Sequence, residues 1–459
     1  MGRILGSSDG LAAFTDDIAV VVKDVWKDSP QLANLFEEFR KISALTLNVK
    51  KTVLMPLWNV SDKSGMKKLV KEHCPLWARV GIEGKGKYLG FIIGPDAGHE
   101  SWKKPLIKFE KRVLFWASLK LGLAMNIIAF NTYIVPVLEY IAQLEELTEE
   151  IHSRMAWSLR RLASGPGNWA TQSDLENLTK FGFKQEFRTL AHTAKAAKLK
   201  VVAANQADIN RMYANLQIAR TLASCRLCDL RDRSFVGALL KKQKDLVAAG
   251  LCLRQGSSKR NCIKATRQDI MTALAPYNVE GRVRQKIARW RMDGLAPKTV
   301  LQVMKSLSII SGACRPCVVS GFFRTLWNGW PTTARMRTMS GAPCTQECVL
   351  GCKGAEDRLE HYLVCEKAWA ALQQRPPHGL GLDRARRNVE AMMLADAFMT
   401  DTERMAIAIG CYAVSRTVHC MRQNPCALRA APIMRLFIAE GLRGSKARGK
   451  IFNQWASDH

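Results

Sequence analysis

The order of hydrophobic and polar positions separates a short N-terminal part with strand patterns from a long remainder with helix patterns. In residues 11–22 two apolar runs flank an acidic pair, which is typical of two strands joined by a tight turn. Residues 52–57 and 87–93 are further predicted strands. Ser29 before Pro30 predicts the start of a helix, whose apolar face would hold Leu32, Leu35, Phe36, Phe39 and Ile42.

From Trp102 onward, apolar residues recur at helical spacing almost to the C-terminus. The first of these helices has an apolar stripe of Leu106, Phe109, Val113 and Trp116. Its opposite face carries the basic residues Lys104, Lys108, Lys111 and Arg112. We therefore expect an α+β fold, with a small partial sheet at the N-terminus followed by a mostly α-helical region.

Clusters of turn-forming residues divide the helical part of the chain. They lie at 164–169, 328–331 and 375–379, and each contains both Gly and Pro. The predicted segments are 1–100, 101–163, 164–327, 328–374 and 375–459. No membrane association is expected, because the most apolar stretch, residues 121–138, is interrupted by Asn126 and Asn131 and is too short for a span.

The net charge adds a functional expectation. The chain has 69 Lys and Arg against 40 Asp and Glu, a formal charge of +29, and residues 151–459 hold nearly all of the excess. Such a surplus indicates a polyanionic partner, RNA or DNA, although a basic surface without a specific ligand is the alternative. Within the basic middle region, Trp290 between Arg289 and Arg291 has the pattern of a base-stacking residue flanked by phosphate contacts, or of a solvated face.

A dense group of cysteines and one histidine indicates a metal site. Cys344, Cys348, Cys352, His361 and Cys365 fall within 22 residues, and zinc takes four such ligands. The expected set is Cys348, Cys352, His361 and Cys365, because the x3 spacings suit a knuckle and adjacent helical turns, with Cys344 in reserve. The pairs Cys225/Cys228 and Cys314/Cys317 are interpreted as core or surface thiols, with a second metal site as the alternative.

The acidic pair is the first of three motifs that occur in a specific order. Phe14–Asp17 has the form aromatic-x-Asp-Asp, residues 43–52 read SALTLNVKKT, and Tyr88-Leu89-Gly90-Phe91 comes next. This succession resembles the reverse transcriptases of non-LTR (LINE-like) retrotransposons. The resemblance implies that Asp16 and Asp17 bind Mg²⁺, that Lys51 lies near the incoming triphosphate, and that Tyr88, Leu89 and Gly90 form the primer grip. Thr15 and Ala44 depart mildly from the family pattern.

The resemblance extends over most of the chain, and the knuckle region is similar to the C-terminal Cys-Cys-His-Cys region of the same elements. It implies an RNA-directed DNA polymerase whose thumb holds Lys104, Lys108, Lys111 and Arg112 near phosphates, with an RNA template and a DNA target or primer as partners. The first catalytic aspartate and the fingers are expected upstream of Asp16, so we expect a fragment that is inactive by itself. The alternative is a non-catalytic zinc-knuckle protein that binds RNA or DNA. The element's life cycle implies the nucleus, or a cytoplasmic ribonucleoprotein.

Overall fold

The computed structural model is an α+β protein in which helices predominate, and this confirms the expected fold class. The chain divides into two compact units, with the boundary between Ile107 and Lys108. The structure describes, apart from a few single positions, residues 10–14, 17–57, 62–195, 277–288, 297–340, 347–373, 398–423 and 429–444. The finer division into five segments stays a prediction.

Among the described residues of the first unit, the strands pair in three two-stranded sheets, where the sequence predicts one partial sheet. Two of the sheets are antiparallel hairpins and one is a parallel pair. The strands are β1 (Gly10–Phe14) with β2 (Asp17–Val21), β3 (Val53–Leu54) with β4 (Gly81–Ile82), and β5 (Gly86–Tyr88) with β6 (Phe91–Ile93).

The predicted strand over residues 87–93 is wrong in one respect, because the chain reverses in its middle. Tyr88 pairs with Phe91, and the two residues between them have positive φ, 47° at Leu89 and 89° at Gly90. Two consecutive positive φ values are the signature of a tight hairpin turn with the twist that antiparallel strands favour. Tyr88, Leu89 and Gly90 therefore form a hairpin tip.

The first helix also begins earlier than Ser29 predicts. Helix α1 spans Val25–Ser43, and the carboxylate of its N-cap Asp24 accepts from the backbone N–H groups of Trp26 and Lys27 at 3.0 and 3.2 Å. The Asp24 carboxylate satisfies two of the backbone N–H groups that the first turn of a helix leaves free, so the helix begins there and not at Ser29. Pro30 is accommodated within the first two turns. The buried face holds Leu32, whereas Ile42 is 88% exposed.

The core of the first unit is small. Helix α2 (Lys63–His73) contributes Met66 and Val70, which pack with Ile82 of β4. Partly buried apolar side chains complete this cluster: Trp26, Leu54 and Trp77. Two short 3₁₀ turns, Pro75–Trp77 and Glu100–Trp102, connect the strands and lead into the next helix.

Helix α3 (Lys103–Ser118) crosses the unit boundary and has the predicted amphipathic character. Leu106, Phe109 and Val113 of the expected stripe are buried, whereas Trp116 is half-buried and stacks on Tyr133 with 5.5 Å between ring centroids. The helices after it along the chain are α4 (Leu123–Ala129), a π-helical turn (Phe130–Ile134), α5 (Pro136–Ala142), α6 (Glu149–Leu162), α7 (Gln172–Leu175) and a 3₁₀ turn (Leu178–Phe181).

The remaining helices belong to the second unit. They are α8 (Val279–Ala288), α9 (Pro297–Ala313), α10 (Pro316–Leu326), α11 (Thr333–Ser340), α12 (Leu359–Val364), α13 (Glu366–Gln373), α14 (Asp401–Gln423) and α15 (Ala430–Leu442). The long helix α14 packs against α9, α10 and α15, and α10 also packs against α4.

Aromatic side chains fill the centre of this helical unit. Phe181, Phe323 and Trp327 are almost fully buried, and their rings lie 4.1 to 5.4 Å apart between centroids. Helix packing of this density brings together residues that are far apart in sequence. The core therefore joins the turn at 178–181 to helix α10.

Among the described residues, no single helix is both long and apolar enough to cross a membrane. One bent pair, Leu123–Ile134 with Pro136–Ala142, meets the length and composition criteria together and bends by 44°. Asn126 in this stretch is buried, and its side-chain amide donates to the carbonyl of Leu162 at 2.8 Å. Asn131 receives the backbone N–H of Arg188 at 2.9 Å.

Candidate metal centre

The first half of the cysteine group is a tight turn closed by backbone hydrogen bonds. The N–H of Cys348 donates to the carbonyl of Ala355 at 2.8 Å, and the N–H of Gly351 donates back to the carbonyl of Cys348 at 2.8 Å. Gly351 and Gly354 have φ of 83° and 72°, a conformation that glycine adopts without steric cost. This turn places Cys348 and Cys352 on the same side of the loop.

The second half of the group lies on helix α12. His361 is within this helix and Cys365 is its C-cap, so the x3 spacing places both side chains on one face. Tyr362, on another face, is fully buried and stacks on Trp330 with 6.0 Å between ring centroids. The apolar side of the helix thus packs into the unit while the ligand side faces the cysteine turn.

The four side chains converge as their spacing predicts. One possible ligand atom from each of Cys348, Cys352, His361 and Cys365 lies within 4.8 Å of the others, and the Sγ atoms of Cys352 and Cys365 are 3.5 Å apart. The Nε2 of His361 is buried without a hydrogen-bond partner among the described residues. An orphaned imidazole nitrogen beside three thiols fits a bound metal ion.

The thiols also influence one another electrostatically. A hydrogen bond from the Cys365 thiol lowers the pKa of Cys348, against the opposing effect of burial. The same hydrogen bond, together with burial, raises the pKa of Cys365. The geometry therefore favours a thiolate at Cys348, and thiolate is the form of cysteine that binds metals.

A buried carboxylate, Asp357, attaches the loop to the helices around it. Both of its oxygens accept from the guanidinium of Arg422 at 2.7 Å, and one also accepts from the hydroxyl of Tyr362 at 2.6 Å. The other accepts from the backbone N–H of Thr333 at 2.8 Å, at the start of helix α11. Sequence reasoning missed this role, because Arg422 is 65 residues away and has no local pattern that marks it as the partner.

Asp17 and Lys51, two of the residues that the resemblance implies are catalytic, lie in the first unit. Asp17 begins β2, pairs with Phe14 and is exposed. Lys51 is exposed in a turn, where its N–H donates to the carbonyl of Asn48 at 2.9 Å. Asp16 lies outside the described residues. Within the described part of the chain, the group around Cys348 is the one set of metal-type ligands in ligating distance.

The expected phosphate contacts are only partly within the described residues. Lys104, Lys108 and Lys111 are exposed along α3, as an interface would require. Arg112 is half-buried and donates to the carbonyl of Tyr133. The predicted stacking group, Arg289, Trp290 and Arg291, lies outside the described residues.

The remaining cysteines do not change this picture. Cys344, Cys225 and Cys228 lie outside the described residues. Cys314 is buried, and burial raises the pKa of its thiol to about 12. Neither it nor Cys317 joins a metal-type cluster in the part of the chain that the structure describes.

No family model matches the chain, and no curated protein matches it either.

Proposed function

We propose that this protein binds RNA or DNA and that Cys348, Cys352, His361 and Cys365 hold a structural zinc ion in its second unit. The observation that carries the proposal is the convergence of these four side chains. Tetrahedral zinc with ligand bonds of about 2.0 to 2.3 Å needs ligand atoms separated by about 3.3 to 3.8 Å. The Cys352–Cys365 separation of 3.5 Å agrees with this requirement.

Four protein ligands leave no open coordination place, so zinc here would supply rigidity and no nucleophile. The chain's own residues would then make the contacts with nucleic acid. Lys353 is exposed at the tip of the cysteine turn, and Lys367 donates to the carbonyl of Gly351 and stiffens the same turn. The formal charge of +29 supplies the long-range attraction for a phosphate backbone.

A second candidate function is RNA-directed DNA synthesis, as part of a retrotransposon reverse transcriptase. Its support is the motif succession from Phe14 to Gly90, together with an exposed Asp17 at the start of the second strand of a hairpin. Paired carboxylates at a hairpin turn suit Mg²⁺, which prefers oxygen ligands. In this proposal the partners are an RNA template and a DNA target or primer, encountered in the nucleus or in a cytoplasmic ribonucleoprotein.

The test is to measure binding of fluorescent RNA and DNA oligonucleotides by the zinc-loaded protein, its Cys365→Ser variant and a Cys420→Ser control. Cys420 is half-buried on α14 and outside the ligand group. We expect Cys365→Ser to weaken binding by about tenfold or more, since second-unit contacts lose their support, and Cys420→Ser to match the parent protein.

Equal affinities for all three proteins would contradict the zinc-dependent proposal. The polymerase proposal is tested on a longer protein that also carries the first catalytic aspartate and the fingers that the resemblance implies, given primer, RNA template, Mg²⁺ and deoxynucleotides. Primer extension that disappears in its Asp17→Asn variant would favour the polymerase. Binding without extension by this longer protein would favour the non-catalytic protein.

A further inference from the structure

A group of basic side chains in the second unit lies away from the metal ligands. Helix α14 carries Arg416 and His419 three residues apart, hence on one face. Helix α10 packs against α14 and carries Arg324. Lys120 is exposed in the turn before α4, which also packs against α10. The packing of α10 against α14 and α4 brings together the segments that carry these four side chains.

Arg324 is held in a fixed position within this group. Its guanidinium carbon lies 5.1 Å from the centre of the Trp169 ring, and one nitrogen donates to the carbonyl of Ala163 at 3.3 Å. Burial and, to a smaller extent, the positive charge of Arg416 lower the pKa of Arg324 to about 10. Arg324 is half-buried and remains charged at neutral pH, and it has no anion beside it among the described residues.

The imidazole of His419 lies in the same positively charged surroundings. Burial lowers the pKa of His419, and the nearby cations add to the effect; they are Arg416, Arg422, Arg324 and Lys120. Its Nε2 atom lies 3.2 Å from the side-chain amide nitrogen of Gln423. Arg422 is paired with Asp357, so the positive field at the imidazole comes mainly from Arg416, Arg324 and Lys120.

The group is short of carboxylates. In the same unit, Arg282 and Arg422 have buried aspartates as partners, Asp174 and Asp357. Within the described part of the chain, neither Arg324 nor Arg416 has an ion pair. Arg416 lies instead over the Phe437 ring at 5.0 Å. Glu440, the acid beside this region, accepts from the hydroxyl of Tyr412 at 2.9 Å.

Cations that are brought together repel one another, and a bound anion removes that repulsion. Guanidinium groups match phosphate oxygens in geometry and are the usual phosphate contacts in nucleic-acid complexes. We propose that Arg324, Arg416 and His419, with Lys120 at the rim, bind the phosphodiester backbone of a nucleic-acid strand. This inference rests on the proposed function and gives it a binding position distinct from the metal group.

The test compares Arg416→Gln and Lys120→Gln with a matched control, Arg435→Gln. Arg435 is exposed on α15, so its loss changes the net charge equally. Oligonucleotide affinity is measured as a function of salt concentration. Each lost phosphate contact should make the logarithmic salt slope shallower by about 0.7 to 0.9. We expect that change in the two cluster variants and little change in the control.

Arg416→Gln also removes a ring contact, so thermal unfolding is recorded for every variant. Lys120 makes no such contact with the described residues, and its variant keeps the test valid if Arg416→Gln unfolds.

If the parent protein binds oligonucleotides and both cluster variants show the parent's salt slope, this inference is overturned while the proposed function stays intact. A parent protein that binds no oligonucleotide would overturn both. Inorganic tripolyphosphate is tested in parallel. If it binds the parent but not the variants while oligonucleotide binding is the same in all of them, the cluster binds small polyphosphates and the inference is also overturned.

Discussion

At the scale of single residues, a buried aspartate, Asp174, holds distant parts of the helical unit together. Both of its oxygens accept from Arg282, at 2.8 and 2.7 Å, and one accepts from the indole of Trp327 at 3.2 Å. Tyr277 donates its hydroxyl to the same carboxylate. Burial raises the pKa of Asp174, but the hydrogen bonds from Arg282 and Tyr277 outweigh it and lower the pKa to about 2.

We predict that Asp174→Asn destabilises the second unit by about 3 to 5 kcal/mol, because it leaves the guanidinium of Arg282 without its counter-charge. The lowered pKa means that Asp174 stabilises the fold above its ordinary value of 3.8 and loses that contribution as pH falls towards about 2. The variant should therefore show less acid sensitivity in that window. Urea unfolding followed by tryptophan fluorescence at pH 7 and pH 3 measures both effects.

Glu280→Gln is the control for this prediction. Glu280 pairs with Arg284 at the surface, where both side chains are more than 40% exposed, and such pairs contribute little. An Asp174→Asn protein no less stable than Glu280→Gln would contradict the assigned role.

At the scale of elements, the cysteine loop and helix α12 form one piece that Asp357 joins to α11 and α14. We predict that Asp357→Asn lowers the free energy of unfolding by about 3 to 5 kcal/mol while the zinc content stays unchanged. The magnitude is the same as for Asp174→Asn because the two arginine side chains are similarly exposed, 23% for Arg422 and 19% for Arg282. Chemical unfolding and metal analysis of the same preparations measure the two quantities.

Glu356→Gln, one residue earlier and exposed, is the matched control, since it removes a surface partner of Arg358. A double-mutant cycle with Arg422→Gln isolates the pair. A coupling energy near zero would contradict the role of Asp357 as the connection between the loop and the helices.

Elements with a strong local pattern were predictable from the sequence. The stripe of Leu106, Phe109 and Val113 is buried as its spacing indicates, and the strands beside the acidic pair form a hairpin. Prediction failed where one or two residues decide the local backbone conformation. Asp24 caps the start of α1, and Leu89 and Gly90 form the turn between β5 and β6. Apolar periodicity carries no information about caps or positive φ values.

At the scale of the whole molecule, the candidate site was predictable to the extent that it is local in sequence. The four ligands lie within 18 residues, and the structure brings together the set that the spacing favoured. The long-range pairs were not predictable, neither Asp357 with Arg422 beside that site nor Asp174 with Arg282 elsewhere in the unit, since they join residues 65 and 108 positions apart. Such pairs depend on helix packing, which a single sequence does not reveal. The reverse transcriptase resemblance stays a prediction.

The proposed zinc site unites the cysteine turn and helix α12 around one ion, and its ligands can be identified by X-ray absorption at the zinc edge. Metal analysis of the purified protein gives the stoichiometry. We expect one zinc ion per chain with three sulfur ligands and one nitrogen ligand, and loss of the ion in Cys365→Ser but not in Cys420→Ser. Protein that folds without metal, or zinc held by a different set of atoms, would contradict the proposed site.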